Sequence, residues 1–200
     1  MKGAEVWNAR FAEEGWAYGT APNDFLAEVA DRIPKGRVLC IGDGEGRNGV
    51  WLATRGFEVT SLDQSRVGME KAARLAEERG VPLTTLVADL DGFDFEPKGW
   101  SGVVTIFCHL PSALRRRVHR AAVGALAPGG AFVLEAYTPE QLEYKTGGPP
   151  VRDLLVTPDD LRGDLEGARI ERLEQTVRLV REGRFHDGQS SVVRALAFAP

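Results

Sequence analysis

From residue 37 onward, short apolar runs alternate with amphipathic stretches. RVLCI (37–41) ends in glycines, and the following NGVWLATRG places Val50, Leu52 and Ala53 for a short helix stopped by Gly56. FEVTSLD (57–63) predicts a second strand. Ser65 is placed to cap a helix whose Met69, Ala72, Ala73 and Ala76 share one face, and Gly80 with Pro82 ends it. LTTLVAD (83–89) predicts a third strand. GVVTIFC (102–108) is apolar throughout, as a strand buried on both faces of a parallel sheet must be. Leu114, Val118, Ala121, Ala122 and Ala125 recur at helical spacing until Pro128, Gly129 and Gly130 break the pattern, and AFVLEAY (131–137) predicts the next strand. Strand and helix in alternation specify an α/β fold with a doubly wound parallel sheet and right-handed crossovers.

Both ends depart from this rhythm. Residues 170–180 and 192–198 are rich in branched side chains and are joined by the turn-like REGRFHDGQ, which predicts an antiparallel hairpin. The charge pattern of ERLEQTVRLVRE also suits a helix. At the other end, Asn23 is placed to cap a helix presenting Phe25, Val29 and Ile33, preceded by the aromatic-rich WNARFAEEGWAYGTAP. Two hundred residues suffice for one sizeable core, so a single domain is expected, with 1–35 as an N-terminal lid and helix and 36–200 as the core.

Composition narrows the classes of partner. Twenty-five basic residues against 29 acidic ones give a formal charge of −4, without the cationic excess that phosphate backbones require. Cys40 and Cys108 sit inside apolar runs, where a thiol acts as a small buried hydrophobe, so no disulfide is expected. No run of eighteen apolar residues occurs, and the expected location is the cytoplasm. His109, His119 and His186 lack metal-ligand spacing, so no metal site is expected. Arg115, Arg116, Arg117, His119 and Arg120 read as the solvated side of their helix.

CIGDGEGRNG (40–49) carries the chemistry. It reads as GxGxG over Gly42, Gly44 and Gly46 or as GxGxxG over Gly44, Gly46 and Gly49, in either register between a strand and a helix. Such a turn needs positive φ values and offers free N–H groups at a helix start to a negative group. Asp63 ends the next predicted strand 19 positions after Gly44, where a carboxylate can accept both hydroxyls of a ribose. An adenosine-containing ligand follows, with the first register suited to S-adenosylmethionine and the second to NAD.

Together VLCIGDGEGRNG, EVTSLD, VADLDGFDF, FCHLP and LAPGGAFVLEAYTP resemble, in order, the motifs of class I S-adenosylmethionine-dependent methyltransferases. WNARFAEEGWAYGTAPNDFL is similar to the opening of the small bacterial tellurite-resistance and thiopurine-type members. The resemblance implies a seven-stranded sheet closed by an antiparallel final strand. It implies that Gly42, Gly44 and Gly46 line the methionine moiety, that Asp63 holds the ribose with Gln64 also binding the cofactor, and that Asp89 and Leu90 flank the adenine. Many members carry an acidic residue where this chain has Cys40, so Asp43 and Glu45 are expected to share the cofactor's ammonium, and Arg47 to meet its carboxylate.

A sulfonium methyl is already activated, so alignment and exclusion of water are the main tasks. A sulfur, selenium or tellurium acceptor attacks unaided, whereas oxygen or nitrogen wants a base, and His109 is the best-placed one. FCHLP lacks the Asn-Pro-Pro-aromatic pattern of many nucleic-acid amino-group methyltransferases, which favours a small-molecule acceptor. Trp16 and Tyr18 are candidates for a lid, and Glu135 and Tyr137 for the acceptor side. The rival readings are an NAD-dependent oxidoreductase and a non-catalytic S-adenosylmethionine-binding protein. Oligomeric state is not encoded legibly.

Overall fold

In the computed structural model, which describes residues 3–200, Arg37–Ile41 forms the first strand (β1). Residues 1 and 2 of the expected N-terminal segment lie outside the described residues. Val38 and Cys40 point into one apolar layer, and Leu39 and Ile41 into the other, because successive side chains of a strand face opposite ways. Burial on both faces is why the run reads as continuously apolar. Glu58–Asp63 (β2), Thr84–Val87 (β3), Trp100–Ile106 (β4) and Leu126–Tyr137 (β5) complete the parallel part of the sheet.

Arg169–Arg181 (β6) and Asp187–Phe198 (β7) pair antiparallel, and β7 pairs antiparallel with β5, Leu134 opposite Ala195. The hairpin reading of the C-terminal segment therefore holds and its helical alternative does not. Seven strands run in the order β3-β2-β1-β4-β5-β7-β6. The order reverses between β1 and β4, which opens a crevice at their carboxyl ends.

The helices are Gly3–Phe11 (α1), Asp24–Val29 (α2), Arg47–Thr54 (α3), Arg66–Glu78 (α4), Ser112–Ala125 (α5), Gln141–Tyr144 (α6) and Pro158–Asp164 (α7). Asn23 accepts from the Leu26 amide at 3.1 Å and Ser65 from the Gly68 amide at 3.0 Å, the two caps expected of these residues. α7 starts with a capping box between Thr157 and Asp160 and has proline in its first turn.

One expectation for α5 is corrected. Arg116, Arg117 and Arg120 are solvated, but Arg115 and His119 are each only 2% exposed. Asp164 of α7 lies between them, 2.8 Å from Arg115 Nε and 3.0 Å from His119 Nδ1, and Asp160 reaches Arg115 at 3.1 Å. A buried guanidinium requires such partners, and they come from a helix more than forty residues away.

Candidate functional site

The turn after β1 enters the crevice with Gly42, Gly44 and Gly46 at φ 65°, 58° and 84°, backbone that only glycine adopts without strain. The chain's own packing adds a second demand. A Cβ on Gly42 would stand 2.5 Å from Cys108 Sγ, on Gly44 3.0 Å from Phe11 Cζ, and on Gly46 2.5 Å from Ala72 Cβ. Gly46 serves as a helix junction and does not line the cavity formed by its neighbours.

Asp43 turns back under the loop, where its Oδ2 accepts from Ser61 Oγ at 2.6 Å and from the Gly49 amide at 3.2 Å. Burial pushes its carboxyl up to about 7, against the pull of those two hydrogen bonds. The folded protein thus keeps a proton that the unfolded chain releases in the ordinary carboxylate range. Stability from this group is full below that range and is lost as pH rises toward 7. Urea unfolding at several pH values is expected to show the stability difference between wild type and Asp43→Asn falling from about pH 4 to 7, by no more than about 1.4 kcal/mol per pH unit, then levelling.

Asp63 closes β2 facing the loop. Its Oδ2 accepts from the Gly44 amide at 3.0 Å and its Oδ1 from the Ser65 amide at 2.8 Å. Each carboxylate oxygen has a second lone pair for a ligand. Glu45 is committed to protein partners, the Ala17 amide at 2.8 Å and Lys71 Nζ at 2.8 Å, and so straps the N-terminal segment to the loop. Arg47 pairs with Glu182 at 2.5 Å. Gln64, the exposed Asp89 and the buried Leu90 stand along the same crevice.

These groups line a cavity of about 330 Å³. Gly42, Asp43, Gly44, Glu45, Arg47, Asp63, Gln64, Asp89, Leu90, Tyr18 and His109 are brought together there. The left-handed Phe107 (φ 51°) turns the chain out of β4 so that 108–111 form the opposite wall. A second cavity, about 650 Å³, shares Gly3, Trp7, Tyr18, His109 and His186 with the first.

His109 stacks on Tyr137 at 5.7 Å between centroids, and His186 meets Tyr18 at 4.5 Å and Phe107 at 4.8 Å. Burial pushes the His109 imidazole down to about 4, against a weaker pull from the Leu154 backbone, and His186 falls further still, mainly by burial. Both rings are neutral at pH 7, and His109 and the Nδ1 of His186 make no hydrogen bond of ordinary geometry among the described residues. His186 escapes sequence reasoning because it sits in the loop between β6 and β7, where no periodicity marks it.

Three expected residues stand apart from both cavities. Trp16 packs against Val50, Leu75 and Ala76 with Lys71 over its ring. Tyr137 lies fully buried behind His109. Glu135, also fully buried, binds Arg194 at 2.6 Å, Arg178, and the Asn23 amide group at 2.9 Å. Its carboxylate is taken up by these partners and lines neither cavity. Among the described residues no cluster of His, Cys, Asp and Glu is arranged for a metal ion, and no helix is long and apolar enough to cross a membrane.

Residues 38–130 match a family model described as a methyltransferase domain. The chain is 27% identical over 141 residues to 2-heptyl-1-hydroxyquinolin-4(1H)-one methyltransferase of Mycobacteroides abscessus, covering 69% of this chain and 62% of that protein. The match thus spans less than two thirds of that relative. A structure solved for the conversion of a disulfide bond into a thioacetal group during echinomycin biosynthesis superposes with a TM-score of 0.81 at 20% identity, over 98% of this chain and 91% of that one. Magnesium protoporphyrin IX methyltransferase (ChlM) from Synechocystis PCC 6803, solved with bound SAH (S-adenosylhomocysteine), superposes with a TM-score of 0.69 at 20% identity, over 98% and 97% of the two chains. At such identities the structural likeness establishes the seven-stranded Rossmann-like architecture alone. Over residues 38–130 the chain is thus similar to a methyltransferase domain, and it shares its fold with a methyltransferase solved with S-adenosylhomocysteine bound.

Proposed function

We propose that this protein moves a methyl group from S-adenosylmethionine to a small-molecule acceptor, the cofactor in the first cavity and the acceptor in the second. The observation that carries this reading is charge. Asp43, Glu45, Asp63 and Asp89 line the first cavity against a single arginine, Arg47. Setting aside Glu45 with its Lys71 and Arg47 with its Glu182 leaves the acidic side chains Asp43, Asp63 and Asp89 in excess, and a bound cation draws Asp43, held up near 7 by burial, into its ionised form. That field suits a ligand bearing sulfonium and ammonium groups and opposes the pyrophosphate of NAD.

The residues fit the cofactor. Asp63 has lone pairs to spare for the ribose hydroxyls, and Leu62, Leu90 and Ile106 offer an apolar bed for the base. Asp43, with only one oxygen engaged by its two donors, is the better partner for the ammonium. When bound, S-adenosylmethionine supplies a sulfonium methyl open to displacement. The protein's own task is to hold the acceptor at the shared wall, where Trp7 and Tyr18 exclude water.

The acceptor atom is taken to be a soft anion of sulfur, selenium or tellurium, which attacks without a base, as the resemblance to the tellurite-resistance and thiopurine-type group implies. If it is a ring oxygen, the neutral imidazole of His109 can take the proton. Free Cys40 and Cys108 suit a reducing cytoplasm as the place of action. The decisive experiment compares melting temperature with S-adenosylhomocysteine and with NADH. The first is expected to raise it by several degrees and the second to leave it unchanged, since a ligand of the native state alone stabilises it. Transfer of labelled methyl to a panel of thiols, selenite, tellurite and hydroxylated heterocycles then separates an enzyme from a protein that only binds.

A further inference from the structure

We infer that the second cavity selects a planar aromatic acceptor carrying a negative charge, and that Arg10 is the residue that reads this charge. The inference rests on the methyl-transfer reading and names the substrate class of the same site. Rings supply much of the cavity wall: Trp7, Tyr18, His109, Phe185 and His186. Flat faces of this kind gain most from a flat guest.

The electrostatics reverse those of the first cavity. Arg10 and Lys145 line the second one, and no carboxylate is among its described lining residues. Arg10 is held rather than loose. Its guanidinium carbon lies 4.7 Å from the Phe185 centroid and 5.2 Å from that of Trp7, and its Nη1 donates to the Tyr18 hydroxyl at 2.9 Å. A guanidinium has five N–H donors, and a carboxylate can take two in parallel. Fixing the plane between two rings removes most of the entropy such a pairing would otherwise cost. Lys145 is exposed at φ 57° and adds positive potential without a fixed geometry.

A ring acid docked on Arg10 shares its chamber with His109 and His186, the two imidazoles that line both cavities. A nucleophilic ring substituent directed there contributes the electron pair of the new bond to carbon, the carbon–sulfur pair stays with sulfur, and any proton on the substituent passes to a neutral imidazole. Arg10 itself is a specificity residue and takes no part in bond making.

The test is calorimetric titration of the full chain, saturated with S-adenosylhomocysteine, with quinoline-2-carboxylate and with its neutral analogue quinoline-2-carboxamide. The carboxylate is expected to bind at least tenfold more tightly, and added salt to weaken it alone. Arg10→Met is expected to bring the two to parity, and Arg10→Lys to retain part of the preference. Equal affinities, tighter carboxamide binding, no binding of either probe, or a preference that survives Arg10→Met would overturn the inference. Should Arg10→Met not fold, the salt response and Arg10→Lys decide in the same sense. Failure of S-adenosylhomocysteine itself to bind is a separate result, which removes the methyl-transfer reading beneath it.

Discussion

Glu135→Ala is expected to lower folding stability by about 3–5 kcal/mol, because removing one member of a buried ion pair leaves its partner without compensation. Arg194 has its Nε 2.6 Å from Glu135 and a side chain only 12% exposed, and Arg178 is 11% exposed. Arg178 keeps Glu182 at 2.8 Å, so most of the loss falls on Arg194 and on Asn23, whose amide bridges Glu135 and Glu182 at 2.9 Å each. For a chain of this length the melting temperature should fall by about 6–20 °C. Glu135→Gln, which keeps an acceptor oxygen, should lose less. A calorimetric scan showing a shift under about 2 °C for the alanine variant would contradict the assignment of Glu135 as a counter-ion.

Asp63→Ala should cost the most in cofactor binding. Hydrogen bonds to a charged group contribute about 1.5–3 kcal/mol each, and the ribose offers two hydroxyls, so affinity for S-adenosylhomocysteine should fall about 100-fold or more. The same substitution frees the Gly44 and Ser65 amides, which loosens the loop from β2. Folding should suffer less than binding, since burial already pushes the Asp63 carboxyl above its ordinary range and its removal relieves that cost. Asp63→Asn should retain the Gly44 contact and fall between the two. Titration calorimetry giving the alanine variant an affinity within threefold of wild type would refute the role.

The centre of the sheet was legible in the chain because β1 and β4 are buried on both faces and the turns are punctuated by glycine. Ser65 and Asn23 announced their helices by local chemistry, hydroxyl and amide caps that act within three residues. What escaped depends on partners distant in sequence. Arg115 and His119 look solvent-facing by type, and only Asp164 makes them interior. Glu135 looked like a ligand group because it ends a strand at the crevice, yet Arg178 and Arg194 claim it. α1 went unread because Phe11 alone is buried in it, the rest facing cavities or solvent. The TPDD at residues 157–160 did carry a readable helix start, a threonine cap followed by proline and an acidic third position.

The strand order leaves β6 as one free margin of the sheet, a thirteen-residue strand that pairs with β7 on one side and has no strand beside it on the other. A margin that long is a template for another molecule's strand, with Val177 and Leu179 about half exposed upon it. Arg169, Glu171, Arg172, Glu174 and Arg181 are spread along the same strand, and any newcomer would have to strip water from them. Charge along that border works against chain-on-chain stacking on the long outer hairpin.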